Sequence, residues 1–281
     1  MRSENRDAHG RGGMARTNIR PGLGLASRRL SIVGLADVTR DGGFGSIPPV
    51  LVVGTGMRIL LALLLPALLS VAIAAPDPDP ARFAKEIAAF DAAQAKSAPA
   101  KGGIVFTGSS SIRLLNLPKV FPGLKALNRG FGGSHISEVN HYLDRLVLRH
   151  APSTVVFYCG GNDLWDKKSP DQVEEDFTEF RTRLFAKVPE AKLIVMAIRP
   201  SPARVSIREV EAAMNGRFKK AADADPRITY VAGSWDRFLE DAGKPEPELF
   251  VADGLHMSDA GYAIWKELLT PLLKVGTGVS R

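Results

Sequence analysis

From Gly103 to Gly233 the chain alternates between two hydrophobic textures. Five short apolar runs, "GIVFTG", "KALN", "STVVFYCG", "AKLIVMAI" and "RITYVAG", are separated by stretches in which apolar residues recur every three or four positions. Runs without a polar alternate fit strands buried on both faces, and the three-to-four spacing fits amphipathic helices. Ser169-Pro170-Asp171-Gln172 forms a capping box with proline at the first helical position. It opens a helix whose apolar face is Val173, Phe177, Phe180 and Leu184. Ser206-Ile207-Arg208-Glu209 reads as a second box, leading to Val210, Met214 and Phe218. A final helix after Met257 aligns Tyr262, Trp265, Leu269 and Leu272. Strand–helix alternation implies a parallel sheet with helices on both faces. Ligands of such sheets bind beyond the carboxyl ends of the strands.

The first 102 residues are patterned differently. Residues 1–56 are rich in Gly, Arg and Ser without a sustained period, and are expected to be disordered or untranslated. Met57 begins a short basic region, "ILLALLLPALLSVAI" is an apolar stretch, and "AIA" ending at Ala74 is a small-x-small cleavage site. The expectation is a signal peptide over 57–74, cut after Ala74, and a secreted or periplasmic protein. The alternative is a retained, outward-facing membrane anchor; the charge-free run from Ile59 to Pro76 is short against the ~20 residues of a span. "APDPDP" reads as a stiff polar linker. After it, Phe83, Ile87 and Phe90 stand at helical spacing, and "SAPAKGG" ends that helix. The expected division is a linker and helix over 75–102, one α/β domain over 103–274, and a tail over 275–281.

Composition narrows the function classes. Of the net charge of +7, residues 1–58 carry +5 from nine Arg and four acids, so the body is nearly neutral at +2. It has no electrostatic footprint for nucleic acid. Cys159 is the sole cysteine and lies in "VVFYC", so no intramolecular disulfide can form and a buried, inert thiol is expected. There is no C-x-x-C and no His-rich metal spacing, and no metal or cofactor is expected.

Four strand-end loops carry the candidate chemistry: Gly108-Ser109-Ser110-Ser111, "NRGFGGS" (128–134), "GGND" (160–163), and "DGLH" (253–256). Acyl transfer needs a nucleophile, a base, a group to orient the base, and donors for an oxyanion. A serine on a strand-to-helix turn can be the nucleophile, although serine is also an ordinary turn residue. Gly132-Gly133 precedes a helix start and leaves N–H groups free for an anion. The Asn162 amide can add another donor. Asp253 stands three residues before His256, where its carboxylate can hold the ring and select the tautomer. His135, His141 and His150 read as surface or packing residues, leaving His256 as the histidine beside a strand-end carboxylate. Each block alone fits a plain loop; the signal is their conjunction on one edge.

In this order the blocks, together with "LHMSDAGYAIW", resemble the SGNH (GDSL-type) hydrolase family over roughly Gly103 to Leu273. The resemblance implies a flavodoxin-like three-layer α/β/α sandwich with about five parallel strands. It implies Ser110 as nucleophile, His256 as base and Asp253 as its orienting carboxylate. The oxyanion hole would be the N–H of Ser110, the N–H of Gly133 and the Asn162 amide. Ser109 departs from the family's usual Asp before the nucleophile, a residue generally outside the catalytic set. The implied activity is a serine esterase working through an acyl-enzyme on a small-molecule, glycan or lipid ester. The chain shows no obvious lid insertion, which favours short-chain or carbohydrate-borne acyl groups. Alternatives are a thioesterase or lysophospholipase-type lipase, and a non-catalytic glycan- or lipid-binding module on the same scaffold. A membrane partner is expected only if the leader is retained. Arg199, after the fourth run, reads either as lining an acyl pocket or as a surface residue.

Overall fold

The five apolar runs pair in one parallel sheet: β1 (Ile104–Gly108), β2 (Ala126–Gly130), β3 (Thr154–Tyr158), β4 (Lys192–Met196) and β5 (Ile228–Val231), in the order β2-β1-β3-β4-β5. The structure, a computed structural model, describes residues 75–273. The expectations for 1–56, for the leader 57–74 and for the tail 275–281 lie outside the described residues. Around the sheet run α1 (Ala84–Lys96), α2 (Ser110–Arg113), α3 (Leu117–Val120), α4 (Ile136–His141), α5 (Leu143–Leu146), α6 (Gly161–Trp165), α7 (Pro170–Lys187), α8 (Arg208–Ala224), α9 (Gly233–Asp236) and α10 (Asp259–Leu269).

The period of two along each strand sorts the core into two layers. Val105, Val155, Phe157, Leu193 and Val195 face one way and pack with Ile87, Ile136, Phe177, Phe180 and Phe218 from α1, α4, α7 and α8. Phe106, Val156, Tyr158, Ile194 and Met196 face the other way, against Ile112, Leu117, Trp265 and Leu269 from α2, α3 and α10. This is the expected three-layer arrangement, with every strand pointing its carboxyl end at the same edge.

Three local expectations need correction. The second strand runs two residues past "KALN", because Arg129 and Gly130 stay in register with Thr107 and Gly108. The loop that follows therefore starts at Phe131. The Ser206 box does not form: Pro202–Ile207 is a 3-10 turn that feeds straight into α8. Ile207 is thus the residue before the helix, and no side chain caps it. The Ser169 box forms as expected, with Gln172 N donating to Ser169 Oγ (3.2 Å) and Ser169 N to Gln172 Oε1 (3.0 Å). Leu272 falls beyond the end of α10.

The proline-rich segment before α1 is tied to the body. Gln172 Nε2 donates to the Ala75 carbonyl at 2.9 Å, Lys168 Nζ meets Asp77 at 2.5 Å, and Tyr142 Oη donates to the Pro80 carbonyl at 2.8 Å. Asp79 caps a 3-10 turn over Pro80–Phe83 that leads into α1.

Candidate active site

The first strand ends at Gly108 with φ +130°, where an added Cβ would stand 2.0 Å from the Tyr158 carbonyl oxygen. Only glycine fits. Ser109 N donates to that same carbonyl at 3.0 Å, which turns the chain out of the sheet and into α2. Burial then separates the three serines. Ser109 and Ser111 are buried, while Ser110, the first residue of α2, is partly open to solvent. Ser110 Oγ lies 3.0 Å from His256 Nε2.

Behind the imidazole, His256 Nδ1 lies 2.6 Å from Asp253 Oδ2. The other carboxylate oxygen accepts the backbone N–H groups of Leu255 and His256, each at 2.8 Å. The hydrogen bond to His256, aided by those N–H groups, pulls the Asp253 carboxyl down to about 2. An ionised carboxylate is acceptor-only, so Nδ1 carries a proton, and in the neutral imidazole Nε2 is left to accept from Ser110 Oγ.

Across the serine, Gly133 has φ +81°, and a Cβ built there meets nothing within 4 Å. Its glycine is required by backbone conformation, not by space. Among the described residues, neither Gly133 N–H nor Ser110 N–H has an intramolecular acceptor. Asn162 Nδ2 donates to the Ser134 carbonyl at 3.1 Å, and Asn162 Oδ1 accepts from Arg204 Nη2 at 2.7 Å. A guanidinium only donates, so Arg204 fixes which end of the amide is NH₂. That NH₂ has a second hydrogen to give.

The support beneath is polar and buried. Asp163 Oδ1 accepts Ile136 N at 3.0 Å, joining α6 to the start of α4. Burial pushes the Asp163 carboxyl up to about 6, opposed by His135 and Lys168. Glu211, on α8, is buried with Oε2 unpartnered; burial raises it to about 7 against the pull of Arg204 and Arg199. Arg199 is 4% exposed, which overturns the reading of it as a surface residue. It donates to Ser111 Oγ (2.9 Å), Tyr158 Oη (2.5 Å) and the Leu255 carbonyl (2.5 Å), linking the serine turn to the base loop. Tyr262 Oη adds a bond to the Ser111 carbonyl at 2.9 Å.

Of the five sequence candidates, Ser110 and Asn162 stand in the first turns of α2 and α6, just past β1 and β3, Gly133 in the loop past β2, and Asp253 and His256 in the loop that reaches Ser110. Arg204, Tyr262 and the Ser134 carbonyl escaped sequence reading. A search of strand-end loops for charged side chains would have reached Arg204, but nothing local marks the other two. His135 and His150 are buried and His141 is exposed. Cys159 is buried, its thiol pushed well up by desolvation. Among the described residues, no group of three His, Cys, Asp or Glu could hold a metal ion.

The GDSL-like Lipase/Acylhydrolase family profile matches residues 114–264. No curated protein matches the chain. Several solved structures share its fold. A Streptococcus pneumonia protein provisionally described as a platelet activating factor superposes with a TM-score of 0.60 at 19% identity, covering 69% of this chain and 94% of its own. A GDSL-like lipase from Bacteroides thetaiotaomicron gives 0.56 at 20%, over 69% and 97%. An acetylxylan esterase from Geobacillus stearothermophilus gives 0.51 at 16%, over 62% and 95%. On the profile match, spanning more than half its length, the chain belongs to the GDSL-like lipase/acylhydrolase family.

Proposed function

We propose that the protein is a carboxylic ester hydrolase that works through an acyl-enzyme on Ser110. The observation that carries this reading is the 3.0 Å approach of His256 Nε2 to Ser110 Oγ, with Asp253 behind the ring. Ser110 Oγ attacks the ester carbonyl carbon as its proton passes to His256 Nε2. The oxyanion is held by Ser110 N–H, Gly133 N–H and the Asn162 NH₂. Collapse breaks the bond to the alkoxy oxygen, which leaves with the proton from His256. Water then gives a proton to Nε2 and attacks the acyl carbon, and Ser110 regains its proton as the acid departs. Every step uses this chain's own side chains and backbone N–H groups, with water.

Short or carbohydrate-borne acyl groups suit a site on an open rim, where Asp253 is exposed and His256 partly so. Lipid-like or aryl esters are a second reading, favoured by one specific observation. The exposed large apolar side chains, Leu114, Trp165, Val205 and Val251, all lie in segments that leave carboxyl ends of strands, at 41 to 53% exposure. A panel of acetyl, butyryl and octanoyl p-nitrophenyl esters, acetylated xylo-oligosaccharide and an acyl thioester separates them. In parallel, a fluorophosphonate probe should label the parent protein and not Ser110→Ala. The variant should lose at least about 10⁴-fold in kcat. Retained turnover or labelling in Ser110→Ala rules the acyl-enzyme out.

A further inference from the structure

Arg82 and Phe83 lie outside the stretch matched by the family profile, yet they grip the loop that carries Gly133. Arg82 Nη2 donates to the Gly133 carbonyl at 3.1 Å. The same guanidinium meets Glu138 with both forks, Nε to Oε1 at 2.6 Å and Nη2 to Oε2 at 2.7 Å. Glu138 is 1% exposed, and its Oε2 also accepts His135 N at 2.9 Å. Next along the chain, Phe83 packs edge-on against Phe131, with ring centroids 4.8 Å apart. Arg82 therefore holds the loop just after Gly132-Gly133, and Phe83 holds it just before.

That grip bears on the chemistry. Two consecutive glycines have the widest backbone freedom of any dipeptide. No side chain on the loop can stop the Gly132–Gly133 peptide from rotating its N–H away. The following peptide planes are pinned: Gly133–Ser134 through its carbonyl by Arg82, and Ser134–His135 through its carbonyl by Asn162 and its N–H by Glu138. We propose that Arg82 is a positioning residue, the head of a strap that sets the direction of the Gly133 N–H. The proposal rests on reading Gly133 as an oxyanion donor.

The test compares Arg82→Lys and Arg82→Ala in the full chain. A lysine ammonium can still neutralise Glu138, but it lacks the fork that also reaches the Gly133 carbonyl. Arg82→Lys should keep a melting temperature close to the parent's and lose about 10-fold in kcat with KM unchanged; Arg82→Ala should lose about 100-fold. In ¹⁵N spectra the amide signals of Gly132, Gly133 and Ser134 should broaden in Arg82→Lys. Parent-like kcat in Arg82→Lys, or a kcat loss with unperturbed loop amides, overturns the proposal. Should Arg82→Ala fail to fold, Arg82→Lys alone decides. The amide signals report on the strap even if Ser110→Ala keeps its turnover, so the two readings fail separately.

Discussion

The two flanks of Ser110 are built on opposite plans. On the base side, Asp253 and His256 belong to one four-residue turn, at least partly exposed, with three bonds closing inside it. On the side of the proposed oxyanion donors, Arg82 bonds Gly133, and Asn162 joins Ser134 to Arg204, contacts between separate parts of the chain. A device bonded within one turn leaves the rest of the protein only to hold it in place, as Arg199 does through the Leu255 carbonyl. A non-local one is only as good as the fold that assembles it. The flanks also answer pH with opposite signs. The Asp253 carboxyl lies below its ordinary 3.8, so its contribution to stability is present above that value and is lost as pH falls through about 2. Asp163 and Glu211 lie above their ordinary values, at about 6 and about 7. Their contribution is present at low pH and is lost as pH rises through those values.

Three substitutions test this contrast. The largest effect is expected from Asp253→Asn, which keeps an oxygen for the backbone N–H groups but loses control of the tautomer. Turnover on p-nitrophenyl acetate should drop by about 10³- to 10⁴-fold with only a small fall in melting temperature. A large fall in melting temperature would show that the base turn is not self-contained. Asn162→Ala should cost about 10²- to 10³-fold in kcat. It should also lower the melting temperature, because Arg204 and the Ser134 carbonyl lose a partner together; activity loss at constant stability would break the contrast. The smallest effect, on stability alone, belongs to Glu211→Gln. Denaturant unfolding should show parity with the parent near pH 4.5 and a gain on the order of 2 kcal/mol at pH 8, where the parent must bury a charge. An equal gain at both pH values would remove the buried carboxylate as its cause.

The same contrast explains what the sequence made legible. The central strands β1, β3 and β4 could be read because burial on both faces leaves almost no polar alternate, and the turn of Asp253 and His256 because the two are three apart. The Ser169 box was legible because its two bonds span three residues. The Ser206 box has the same letters, but the 3-10 turn before it removes the extended residue that a cap needs. The contacts that support Gly133 and Asn162 were illegible for a different reason. Arg204 reaches Asn162 across 42 positions, and Arg82 reaches Glu138 across 56. No spacing rule links such pairs; the sheet order and the path of the chain before α1 do. Arg199 was visible in its loop, but its role depends on a depth that sequence does not show.

Arg199 has a further consequence. One planar group clasps the hydroxyl beside Ser110 and the carbonyl beside His256, so neither loop can shift without stretching a bond to the other. Ser110 Oγ and His256 Nε2 therefore arrive at the rim already paired, and under the proposed mechanism a docking ester finds no catalyst left to assemble. The free energy of aligning them is met when the chain folds, before any turnover begins.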